Sequence, residues 1–216
     1  MMNLPLFPLN TVLFPGMPLK LHIFEERYKL MINECIDSQQ PFGVVLIESG
    51  DEAMGPLAQP HLVGTTAHIT QVQRLPFGRM NILAVGRDRF RINQLHQEQP
   101  YLSATVDLIP FVQDDSDGMR RGEAQLRPLL NRYLSALSEA GFQVDEAQMP
   151  AEPLALAYLS AVVLQAEAAQ KQHLLESINT SQFFARLISA YRREVALLDV
   201  MLAPPIQDSQ SPFSVN

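Results

Sequence analysis

The order of residue patterns predicts an α+β protein in which strands come first and helices follow. Three observations carry this. Up to about residue 112, apolar residues either alternate with polar ones or gather in short runs, the patterns of half-buried and fully buried strands. The stretch Asp114-Asp115-Ser116-Asp117-Gly118 then reads as an acidic, flexible junction where composition changes. Beyond it, apolar residues recur at three- and four-residue spacing, the period of helices. The expected organisation is a β-domain over 1–112, a helical subdomain over 113–203 and a disordered tail over 204–216.

The elements follow in order. Leu4 to Val12 is an apolar, proline-spaced strand, and Phe14-Pro15-Gly16 turns the chain, since proline fixes φ and glycine accepts turn geometry. Leu19, Leu21 and Ile23 alternate as a second strand. Glu25-Glu26 place negative charge where a helix dipole favours it, and Tyr28, Met31, Ile32, Cys35 and Ile36 give that helix an apolar face to about Ser38. Phe42 to Ile47 is a run suited to a strand buried on both faces. Residues 49–61 are loop by their glycine, proline and acid content, with Met54 and Leu57 as apolar exceptions. Val63 to Val72 is rich in β-branched residues, Leu75 to Arg79 is a hairpin tip, and Met80 to Leu95 returns as a long or bent strand. Gly86 marks a bulge or a close backbone approach. Leu102, Ala104, Val106 and Leu108 alternate as a last strand.

In the second part, Leu126, Leu129, Leu130, Tyr133, Leu134 and Leu137 form an amphipathic helix that Pro128 is expected to kink or restart. Pro153 introduces Leu154 to Ala169, apolar nearly all round and therefore expected to be buried. Lys171 to Ser177 is a short helix. Asn179 or Thr180 caps a final one, whose Phe184, Ile188, Tyr191, Val195, Leu198 and Leu202 form a seam that closes an intrachain bundle.

Composition narrows the functional classes. Hydrophobic residues make up 47% of 216, enough for a substantial core. The formal charge of −7 argues against a general nucleic-acid or anionic-membrane binder, and neither half is basic. Cys35, the one cysteine, excludes an internal disulfide and a cysteine-based zinc site, and is expected to be buried and inert. No basic region precedes an apolar run at the N-terminus, and no apolar segment reaches the ~18–20 residues that span a bilayer, so a cytoplasmic protein is the expectation.

The wording LPLFPLNTVLFPGMPLKLHIFEERY closely resembles the opening of the N-terminal domain of the Lon protease family, as stand-alone members carry it. VGTTAHITQVQRLPFGRMNILAVGRDRFRI is a second ordered match, and KQHLLESINTSQFFARLISAYRREVALL resembles the helical part that follows in those proteases. The resemblance covers nearly all of 1–203. It implies a PUA-like β pseudo-barrel of about six strands and one helix over 1–112, followed by an α-helical bundle.

The chemistry of such a protease is missing. Lys20, Lys29 and Lys171 are the only lysines, and none ends a GxxxxGK[ST] phosphate loop or resembles the family's serine–lysine dyad. His22, His61, His68, His96 and His173 are scattered singly, without ligand spacing, and Glu25-Glu26 suits a helix start. No catalytic residue, metal or cofactor is therefore expected. What the resemblance implies is a non-catalytic protein-recognition module for unfolded or degron-bearing polypeptides or another protein partner, acting as a monomer. An apolar groove between the β-domain and the helices would hold the segment, with Met54, Leu57, Phe77 and Phe111 as candidate contacts. The alternative is an RNA-binding PUA-like module. It would use Arg87, Arg89 and Arg91, which at period two share one strand face, with Arg74 and Arg79 across the hairpin.

Overall fold

The computed structural model describes residues 1–50, 58–111, 116–139 and 149–202. Six strands are formed: β1 (Met2–Leu9), β2 (Pro18–Ile23), β3 (Phe42–Ser49), β4 (Gln59–Arg74), β5 (Met80–His96) and β6 (Ser103–Leu108). Helix α1 (Glu26–Ser38) lies between β2 and β3, and α2 (Ser116–Glu139), α3 (Pro153–Val163), α4 (Ala168–Leu175) and α5 (Thr180–Leu202) follow the strands. Strands first and helices after is therefore the observed order. None of the described helices is long and apolar enough to cross a membrane.

The expected pseudo-barrel is corrected. The strands form one mixed six-stranded sheet in the order β2-β5-β4-β3-β1-β6, and among the described residues β2 is an open edge that pairs only with β5. A barrel of all six would need a second partner for β2. The reason lies in strand length. Six residues of β2 cover only the first part of β5, from Ile23 opposite Met80 to Pro18 opposite Val85. The rest of β5, seventeen residues long in all, leaves β2 behind and pairs with β6 from Phe90 opposite Leu108 to His96 opposite Ser103. Between these segments the pairing with β4 slips, Ala67 facing Gly86 but Thr65 facing Arg89, so Arg87 and Asp88 stand in a bulge. Such a bulge bends the strand and changes which side chains face inward.

Three apolar clusters hold the chain together. Tyr28, Met31, Ile32 and Cys35 of α1 pack on Phe7, Phe42, Met80 and Ile82, and Phe7 stacks on Tyr28 with centroids 4.1 Å apart. Leu4, Leu6, Phe90, Ile92 and Val106 form a second buried cluster within the sheet. The third cluster joins the two halves, since Val12, Phe14, Leu46, Val63 and Phe111 share it with the apolar faces of α2 to α5. Phe184, Ile188, Tyr191 and Val195 of α5 belong to this cluster, so their seam is used within the chain.

Two helical expectations change. Helix α2 runs through Pro128 without restarting. Pro128 and Ala124, whose carbonyl loses its partner to the proline, are both exposed, so solvent reaches the orphaned group. The helix expected over Leu154 to Ala169 stops at Val163, and α4 begins at Ala168. Tertiary contacts stabilise that break. The Gln165 N–H donates to Tyr133 Oη at 3.0 Å, and Lys171 Nζ donates to the Val162 carbonyl at 3.1 Å. At the start of α5 it is Asn179 that caps, its Oδ1 accepting from Gln182 N–H at 2.9 Å.

Candidate functional site

An open cleft of about 470 Å³ lies between the Pro15-Gly16-Met17-Pro18 turn and the outer face of α3. The turn has proline second and Gly16 third, with φ +81° at the glycine and the Met17 N–H donating to the Phe14 carbonyl at 3.0 Å, a type II arrangement. Backbone bonds fix it to the sheet. Gly16 N–H donates to the Gly86 carbonyl at 2.8 Å, and Gly86 N–H donates to the Met17 carbonyl at 3.0 Å. Gly86 is required there, because a Cβ at that position would lie 2.4 Å from the Phe14 carbonyl oxygen. Thr65 Oγ1 adds a bond to the Leu13 carbonyl at 2.7 Å.

The opposite wall is α3. Its start is set by Glu152, whose carboxylate accepts from the N–H groups of Leu154 and Ala155 at 3.0 and 2.5 Å, with Pro153 at the first helical position. Leu156, Ala157, Ser160 and Ala161 face inward and are buried. Leu154, Ala155, Tyr158, Leu159 and Val162 are only half-buried and line the cleft with Met17. The lining is almost wholly apolar, and Glu152 is the one charged residue among the described residues in it. Burial pushes the Tyr158 phenol up to about 12; Arg89 opposes the shift, and Asp88 and Glu152 add to it, so the ring stays neutral at physiological pH. Among the described residues that line the cleft, no nucleophile stands beside a base.

Behind Tyr158 the two halves of the molecule are joined at Arg89. Its side chain is 3% exposed and lies with Cζ 3.5 Å from the centre of the Phe111 ring. Nη1 donates to the Leu175 and Ser177 carbonyls at 2.5 and 2.7 Å, and Nη2 to the Ile109 carbonyl at 3.1 Å. Two of these acceptors lie at the C-terminal end of α4, where a cation is favoured. Burial lowers the pKa of Arg89 to about 10, leaving it charged at neutral pH, and its Nε is buried without a partner. Phe111, 9% exposed, stacks on Phe183 at 5.1 Å and on Tyr158 at 5.9 Å.

The residues singled out in the sequence are not brought together. Phe111 supports the cleft from behind through Tyr158. Phe77 is 87% exposed at the β4–β5 tip, beyond Met80, whereas the Pro15–Pro18 turn meets β5 near Val85 and Gly86, about 25 Å away along an extended strand. Phe77 also has φ +64°, a conformation rare for a bulky side chain, and its carbonyl accepts from Lys29 Nζ at 2.8 Å. Met54 and Leu57 lie outside the described residues, as do 112–115 of the acidic junction and the tail from 203. The arginine stripe does not exist as one face. The bulge at Arg87 and Asp88 separates Arg87 from the other two, and Arg89, though in register with Arg91, is covered by Phe111 and the end of α4, so that only Arg87 and Arg91 stay exposed; Arg74 donates to Asn33 Oδ1 at 3.1 Å, and Arg79 sits over the Phe77 ring at 5.9 Å.

Other chemistry is confined to small contacts. Among the described residues no group of three or more His, Cys, Asp or Glu could hold a metal. His68 is half-buried, and its pKa is lowered by burial and by Arg87, with Asp88 opposing. Burial, with Glu34 adding, pushes the Cys35 thiol up to about 12.

The chain is similar to known proteins over most of its length. The family described as the ATP-dependent protease La (LON) substrate-binding domain matches residues 3–190. Lon protease 2 of Herpetosiphon aurantiacus is 28% identical over 204 residues, covering 92% of this chain and 25% of that protein. The Lon protease of Syntrophus aciditrophicus is 26% identical over 208 residues, covering 91% of this chain and 26% of that protein. The chain thus spans about a quarter of the length of these relatives. Among solved structures, a Lon N-terminal domain protein from Xanthomonas campestris superposes with TM-score 0.62 at 23% identity, covering 88% of this chain and 98% of that one. The N-terminal domain of a Mycobacterium avium complex Lon protease gives 0.65 at 20% identity, with the same coverage. At those identities the structural likeness establishes the fold alone.

Proposed function

Because the chain belongs to the family of ATP-dependent protease La (LON) substrate-binding domains, we propose that it holds an apolar segment of an unfolded or degron-bearing polypeptide in the cleft between the Pro15–Pro18 turn and α3. The family region is the non-catalytic, substrate-binding part of those proteases, and the 216 residues here contain no phosphate loop and no lysine in a proteolytic setting. One observation carries the reading. Met17, Leu154, Tyr158, Leu159 and Val162 converge on an open, apolar groove. Expelling water from such a lining favours apolar side chains at about 25 cal/mol per Å² buried, with no requirement for one sequence. The groove also bridges the sheet and the helical half, both of which Arg89 holds in place. The setting of this activity is taken to be the cytoplasm, with the chain acting as a monomer that delivers or retains clients for proteolysis elsewhere.

The test is fluorescence anisotropy with a dye-labelled, apolar-rich peptide and the full chain. Leu159→Asp and Val162→Asp put a carboxylate into the lining from half-buried positions. Each is expected to weaken binding about tenfold or more, as desolvating a charge without a partner costs over 1.4 kcal/mol. Unchanged affinity in both folded variants would remove the groove from consideration.

A further inference from the structure

A second cleft, about 580 Å³, lies on the other side of the helical half between α2 and α5. Gly122 lies against Phe184, and further along the pair Arg132 meets Asp199 at 2.7 Å, so the helices run parallel. The cleft is bounded by Arg121 toward its N-terminal end and by Arg192 and Arg193 at the other, with Gln125, Ser181 and Ser189 between. No acidic residue among the described residues lines it. Nearby acids of α2 are engaged elsewhere, Asp117 with Arg120 at 3.0 Å and Glu123 with Arg127 at 2.6 Å. Arg192 and Arg193 are exposed and make no ion pair among the described residues. Two exposed arginines beside a cleft with no acid among its described lining residues are at odds with a chain of net charge −7.

We infer that this cleft receives an extended, acidic segment of a polypeptide, separately from the apolar groove. Ser181 to Arg193 spans about 18 Å of helix, the length of five or six extended residues. The Arg192 and Arg193 guanidinium forks at one end suit carboxylates bidentately, and the neutral serines and glutamine along the cleft suit peptide amides. A nucleic acid fits less well. The lining exposes no aromatic ring for bases to stack on, Phe184 being buried, and the chain's overall charge opposes a dense row of phosphates.

The experiment is anisotropy of a dye-labelled peptide of about six residues, alternating glutamate and glycine, against the full chain. Saturable binding that weakens with added salt is expected, and none to the same peptide with lysine for glutamate. Arg192→Ala/Arg193→Ala, both exposed and so without a folding penalty, should lower affinity about tenfold or more, as each charge-assisted bond contributes over 1 kcal/mol. Ser189→Trp, filling the cleft from an exposed position, should abolish binding. Failure to saturate by about 1 mM, a double-alanine variant that binds like the parent, or an oligonucleotide of equal length binding more tightly would each overturn the inference. Leu159→Asp should leave this binding unchanged, which keeps it independent of the apolar groove.

Discussion

Replacing Arg89 by methionine tests how the two halves of this molecule are joined. The guanidinium donates to three carbonyls, those of Ile109, Leu175 and Ser177, and its Cζ lies 3.5 Å from the centre of the Phe111 ring. Hydrogen bonds from a charged donor contribute about 1.5–3 kcal/mol each, or roughly 4–9 kcal/mol for three. Taking the charge out of water offsets several kcal/mol of that. Methionine keeps apolar contact with Phe111 but leaves three acceptors without their donor. A net loss of about 2–4 kcal/mol is expected. Urea unfolding followed by far-UV circular dichroism would read it as a lower midpoint at an unchanged slope. Arg89→Lys should recover only part, since an ammonium cannot fork between carbonyls or stack on the ring. A methionine variant within about 1 kcal/mol of the parent would refute the reasoning. It would mean that desolvation cancels the bonds and that apolar packing alone holds the joint.

Further outcomes are expected elsewhere. Gly86→Ala should destabilise by about 2–4 kcal/mol in the same assay and weaken peptide binding, because its Cβ would meet the Phe14 carbonyl that anchors the turn. Glu152→Ala should cost about 1 kcal/mol by removing the cap of α3, and Glu152→Asp should restore most of it. Phe77→Asn should be neutral or stabilising by up to about 1 kcal/mol, since asparagine tolerates positive φ, and should not touch binding at the distant groove. Stability should also fall in alkali. The Cys35 thiol and Tyr158 phenol have folded pKa values raised by burial to about 12, above their ordinary 9.0 and 10.0, so the unfolded chain loses those protons first. Their contribution is intact below pH 9 and is lost as pH rises toward 12, and Cys35→Ala should flatten the early part of that decline in urea midpoints.

Much of this molecule is determined by local sequence. The Glu26–Ser38 helix, the Phe14-Pro15-Gly16 turn, the hairpin tip near Pro76 and the seam of the last helix are written in propensities and periods that act within a few residues. The family resemblance is carried by the same stretches. Other features depend on partners far away in the chain. The arginines at 87, 89 and 91 have the spacing of one strand face, but the bulge opposite Thr66 sets Arg87 apart and the helical half covers Arg89, and neither a slipped register nor a distant cover has a signature in β5 alone. The uniform apolarity of Leu154 to Val162 suggests full burial, yet one face of α3 stays half-open because the Pro15–Pro18 turn approaches it without closing over it. Whether the sheet closes was likewise decided by the mismatch of six residues in β2 with seventeen in β5. Sequence determined the elements, since hydrogen bonds and rotamers within an element are local. The groove, the Arg89 joint and the open edge were decided by tertiary structure, because each is a distance between segments that packing alone sets.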